Sequence, residues 1–119
     1  MVTAPRTGFP RAARLRKRSE FLRVQQRGKK LTAGPLVALA LPSTGTPARL
    51  GLTVSTKVGN AVVRARVKRQ LREAFRAQRA ACPAVDLVVI ARPEAARASG
   101  PELRQAFAAL LTSLERQFP

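Results

Sequence analysis

The pattern that most restricts the fold lies between Asn60 and Gln78. Val63, Val67, Leu71, Ala74 and Phe75 recur there at three- and four-residue steps, so at about 100° per residue they share one helix face. Asn60 is a natural N-cap, because its side-chain oxygen can accept from a free amide of the first turn. Arg64, Lys68, Arg69, Arg72, Arg76 and Arg79 fall on the adjacent face, and Glu73 is the one acid in the stretch. Like charges four residues apart repel and weaken an isolated helix. Such a helix needs an apolar surface to lie on, and its outer side gains from a polyanion.

The rest of the chain supplies that surface. Asp86–Ala91 is a continuous apolar run bounded by Pro93, which predicts a strand covered on both faces. Leu36–Leu41, held between Pro35 and Pro42, predicts a second strand, and Pro42–Pro47 a loop. In Arg49–Ser55 the residues Leu50, Leu52 and Val54 alternate with Arg49, Gly51, Thr53 and Ser55. That is a half-buried strand, expected to form a hairpin with the one before it. Ser19 is the expected cap of a short helix that runs through Arg27 to Gly28, with Phe21, Leu22 and Val24 on its apolar side. Ser99-Gly100-Pro101 opens a final helix whose core stripe is Leu103, Phe107, Leu110, Leu111 and Leu114. The order is α-β-β-α-β-α: one α+β domain over residues 18–119, a small central sheet packed by helices. Residues 1–17, with Pro5, Gly8 and Pro10, read as a flexible basic arm.

Composition narrows the chemistry. The 119 residues include 23 Lys or Arg and 6 Asp or Glu, a net charge of +17. Histidine is absent and Cys82 is alone, so neither an intrachain disulfide nor a Cys/His metal cluster can form. Without histidine, and with its acids scattered, the chain is not expected to be a self-contained hydrolase. The excess charge is concentrated: +9 over residues 1–35 and +7 over residues 57–79, against zero over residues 80–119. Two blocks of one sign predict one binding surface for a polyanion. No apolar run is long enough to span a bilayer, and the basic N-terminus has no apolar stretch after it, so a cytoplasmic protein is expected.

The segment from Gly59 to Arg72 resembles the signature of the bacterial ribonuclease P protein family, Gly-Asn-Ala-Val-x-Arg-Asn-Arg-x-Lys-Arg-x-x-Arg. Gly59, Asn60, Ala61, Val62, Arg64, Arg66, Lys68, Arg69 and Arg72 match in place. Gly51-Leu52-Thr53-Val54-Ser55, the early Arg14-Leu15, Phe21, Val24 and Gly28, and Val89-Ile90-Ala91-Arg92 are similar too. Ala65 stands where the family has Asn between the two arginines, so any contact of that amide is lost. Gln25 and Leu39 stand where the family often has aromatics.

The resemblance implies a protein subunit that assists a catalytic RNA in removing the 5′ leader from precursor tRNA. It also implies a left-handed β-α-β crossover. The protein would supply no catalytic side chain and bind no cofactor itself, the Mg2+ ions being held at the RNA active site. Lys57, Asn60, Arg64, Arg66, Lys68, Arg69 and Arg72 are the candidates for docking on the RNA subunit. Arg18, Phe21, Gln25, Leu39, Thr53 and Ser55 are the candidates for a cleft that holds the single-stranded leader. Asn60 has a second role as a helix cap. Phe21 has two readings, a platform for a base or a core side chain. The implied partners are the RNA subunit and precursor tRNA, with no membrane and no small-molecule substrate. Composition would equally suit a ribosomal or general RNA-chaperone protein. A helix-turn-helix DNA binder fits less well, because strands flank the basic helix.

Overall fold

The computed structural model describes residues 14, 15, 17–43 and 47–118; the rest of the expected basic arm and part of the Pro42–Pro47 loop lie outside them. Three helices and four strands follow in the order α1 (Arg18–Arg27), β1 (Lys29–Ala33), β2 (Leu36–Pro42), β3 (Arg49–Thr53), α2 (Ala61–Gln78), β4 (Val85–Ala91) and α3 (Gly100–Gln117). Short 3-10 turns follow α2 and precede α3. Among the described residues no helix is long and apolar enough to cross a membrane.

The helix ends have local causes. Asn60 Oδ1 accepts from the Val63 amide at 3.0 Å, which caps α2. Ser99 Oγ accepts from the Glu102 amide while Glu102 accepts from the Ser99 amide, a reciprocal cap on α3. Helix α1 begins two residues earlier than its sequence suggests. Lys17, not Ser19, takes the cap position, because the carboxylate of Glu20 reaches back to the Lys17 amide at 3.1 Å. At the other end the Gly28 amide donates to the Val24 carbonyl.

The sheet order is β1-β2-β4-β3. Strand β4 lies in the centre, antiparallel to β2 (Leu36 opposite Ala91) and parallel to β3 (Arg49 opposite Asp86). The expected hairpin between β2 and β3 does not form, because β4 separates them. The reason is burial: β4 is apolar on both faces and takes the position with neighbours on both sides, while half-polar β3 takes an edge. Helix α2 supplies the crossover that parallel β3 and β4 require. The hairpin partner of β2 is β1, a strand absent from the sequence reading. Its turn is Gly34-Pro35, with Gly34 at φ +52°, a conformation that glycine adopts without strain.

The two faces of the sheet are covered unequally. Leu36, Ala38, Ala40, Leu50, Leu87 and Val89 pack against Val67, Leu71 and Phe75 of α2 and Leu103, Phe107, Leu110 and Leu114 of α3. Phe75 and Phe107 meet edge to face, with ring centroids 6.3 Å apart. The opposite face carries α1, which has one buried residue, Val24, set against Val88 and Leu15.

Candidate nucleic-acid interface

The pleat of β3 sends Leu50 and Leu52 into the main core and Arg49, Gly51 and Thr53 toward α1, as the alternation predicts. Gly51 is where the ring of Phe21 comes down on the sheet. A Cβ built on Gly51 would lie 2.6 Å from two carbons of that ring, so only glycine admits it there. Phe21 is half-buried: one side rests on the sheet and the other borders two open depressions.

The first depression is lined by Arg14, Leu15, Phe21, Gly51, Lys68 and Arg72, among others. The second, of about 360 Å³, is lined by Arg18, Phe21, Leu22, Gln25 and Thr53. Four of the six expected cleft residues therefore meet in one place. The other two do not join them. Leu39 packs beneath α1 beside Val24 and Val88, and Ser55 lies in the exposed turn after β3, where its Oγ accepts from the Lys57 amide.

The first depression joins the two basic blocks. The Leu15 amide donates to the Leu50 carbonyl at 3.0 Å and Arg14 bridges to Leu50, so this segment extends the sheet beyond β3. Arg14 and Leu15 thus belong to the domain rather than to the arm assigned to residues 1–17. Lys68 and Arg72 approach the same place from α2.

The basic residues of α2 are not one cluster. At about 100° per residue, Arg64, Lys68 and Arg72 span about 80° of one flank, and Arg66 lies about 160° from Lys68. Arg66 points to the other side, where its guanidinium donates to the Ala98 and Ala96 carbonyls at 3.1 and 2.9 Å. Those bonds tie α2 to the segment before α3. Arg64 Nε donates to the Gly59 carbonyl, and Arg79 Nε to the Ala48 carbonyl. Lys57 and Arg69 are exposed, and Asn60 serves as the cap already described.

A charged bridge lies beside the cleft that no sequence pattern announced. Arg49 Nε and Nη2 donate to the two oxygens of Asp86 at 2.9 and 2.8 Å, and Nη1 donates to Glu20 of α1 at 3.0 Å. Asp86 is the one buried charged residue among those described. Its hydrogen bond and its charge, ahead of those of Glu20, outweigh partial burial and keep the Arg49 guanidinium above its already high value. The signal available beforehand was that Arg49 and Asp86 are lone charges in otherwise apolar strands. Among the described residues no three His, Cys, Asp or Glu side chains gather as a metal site would need. The Cys82 thiol is pushed up to about 11, mainly by burial.

A sheet sealed on one face by two helices, and left partly open beneath a short third helix with cations at the rim, defines a small basic α+β domain with a cleft on its sheet face. Residues 9–115 match the family model described as Ribonuclease P. The ribonuclease P protein component of Gluconacetobacter diazotrophicus is 53% identical over 85 residues, 69% of this chain and 73% of that one. That of Xanthomonas campestris is 43% identical over 104 residues, 87% of this chain and 70% of its relative. Among solved structures, a mutant RNase P protein from Staphylococcus aureus superposes with a TM-score of 0.83 at 30% identity, covering 87% of this chain and 89% of the other. The RNase P protein from Thermotoga maritima gives 0.77 at 33% identity, covering 84% and 96%. The chain belongs to the ribonuclease P protein family.

Proposed function

We propose that this chain is the protein subunit of a ribonuclease P ribonucleoprotein and assists its RNA in removing the 5′ leader from precursor tRNA. The observation that carries this is the cleft, where Phe21, Gln25, Thr53 and Arg18 converge and which Lys68 and Arg72 border from the basic helix. Arg64, Lys68, Arg69 and Arg72, with Lys57 at the entrance to α2, dock on phosphates of the RNA subunit. Arg66 keeps three of its five donors for the same task, since two are engaged with backbone carbonyls. The single-stranded leader lies along the cleft, with Phe21 offering a half-exposed ring for a base and Arg18 a cation for the backbone.

On this reading the chain supplies no catalytic side chain. The divalent ions that cleavage requires would be held by RNA phosphates, not by this chain, and would supply Lewis-acid chemistry there. The protein raises affinity for the substrate and for those ions by neutralising phosphate charge nearby. It works in the cytoplasm with the RNA subunit and precursor tRNA as partners. The test is reconstitution. The purified chain should restore leader cleavage to a bacterial ribonuclease P RNA at a magnesium concentration too low for the RNA alone. Equal binding to unrelated RNAs without restored cleavage would favour a general RNA chaperone instead.

A further inference from the structure

Helix α1 forms one wall of the cleft, yet apolar contact holds it weakly: Val24 is its one buried residue. Something else must fix its distance from the sheet. The Arg49 guanidinium spans that gap. Its Nε and Nη2 engage both oxygens of Asp86 on β4, and its Nη1 engages Oε2 of Glu20 on α1. The other Glu20 oxygen accepts the Lys17 amide at the helix start, so this carboxylate is committed on both sides. Phe21 follows Glu20 directly, and its ring sits on Gly51, two residues from Arg49 along β3.

We propose that Arg49 is a positioning residue: by bridging Glu20 and Asp86 it sets the width of the cleft and the seat of Phe21 on Gly51. The proposal rests on the leader-binding reading above for its consequence, though not for its geometry. Three features support it. The bridge needs three donors in a planar fork, which Arg has and Lys lacks. The Asp86 arm is buried and paired in register with Arg49, so it is the fixed end. The Glu20 arm is partly exposed, with a side-chain accessibility of 27%, so it is the end that yields first.

The test uses the full chain with Glu20→Gln and Arg49→Lys. Gln at position 20 keeps the cap hydrogen bond to Lys17 and leaves the buried Arg49–Asp86 pair intact, so this variant folds. In the free protein, the closeness of the Phe21 ring to Gly51 should give the Gly51 α-protons a ring-current displacement measurable by NMR. Both variants should shrink it, and an unchanged displacement would overturn the proposal. In the holoenzyme reconstituted with a bacterial ribonuclease P RNA, the preference for leader-bearing precursor over mature tRNA should fall about threefold. Affinity for mature tRNA should stay the same. A preserved preference, or full function of Arg49→Lys, would likewise overturn it. Should the unmodified protein show no leader preference at all, the leader reading fails, and the Gly51 displacement alone still decides on the bridge.

Discussion

The two faces of the sheet solve opposite problems with the same four strands. Beneath α2 and α3 the face is closed: Leu71, Phe75, Leu103, Phe107, Leu110 and Leu114 are fully buried. Beneath α1 it is only half closed. Val24 reaches the sheet, Phe21 and Leu39 are partly covered, and ions rather than apolar area bridge the remaining gap. The two faces thereby divide cohesion from access. One face carries the domain's cohesion. The other keeps an aromatic ring and a row of polar groups at the surface, where a flexible strand of nucleic acid can reach them.

Substitutions on each face should have different effects. The largest effect is expected on the closed face: Phe107→Ala should cost about 3–5 kcal/mol in urea unfolding, through lost burial and the cavity left behind. A loss below about 1 kcal/mol would mean that the closed face is not the seat of stability. Gly51→Ala comes next, at about 1–3 kcal/mol, because its methyl group would displace the Phe21 ring from the sheet. A neutral result would show that the ring moves aside freely.

Helix α2 has its own two sides. Arg66→Gln should destabilise the fold by about 1 kcal/mol, since it removes two hydrogen bonds to backbone carbonyls. Lys68→Gln should leave stability almost unchanged and lower the salt slope of RNA-subunit binding by about one unit. The reverse pattern would exchange their roles. The smallest effect concerns Cys82. With its pKa raised to about 11, less thiolate exists at any given pH, so alkylation at pH 8.5 should be far slower than for an exposed thiol and should accelerate toward pH 11. Rapid labelling at pH 8.5 would show that this side chain is more open than its burial implies.

Much of this was legible in the sequence, and the exceptions have physical causes. Helices α2 and α3 and strand β4 have strong periodicity or continuous apolar runs with Pro, Ser or Asn at their ends, so local chemistry sufficed. Strand β1, Lys-Lys-Leu-Thr-Ala, buries only Leu31 and carries no clear alternation. Which strands pair was not legible either. Alternation says which side of β3 faces inward, but not which strand lies beside it. The flank of Lys68 and Arg72 follows from spacing along α2, but the hydrogen bonds of Arg66 to Ala98 and Ala96 join residues 32 and 30 positions apart and were not legible. The Arg49 bridge joins residues 29 and 37 positions apart, beyond the reach of any local pattern.

On the proposed function the half-closed face holds the leader, and Phe21→Ala separates that role from a purely structural one. Affinities of the reconstituted holoenzyme are measured for precursor tRNA with its leader and for mature tRNA. Loss of the ring should weaken the leader-bearing precursor by about 1–3 kcal/mol, the contribution of one stacked base, and leave mature tRNA unaffected. Equal losses for both would rule out leader binding by the ring and make Phe21 a core residue.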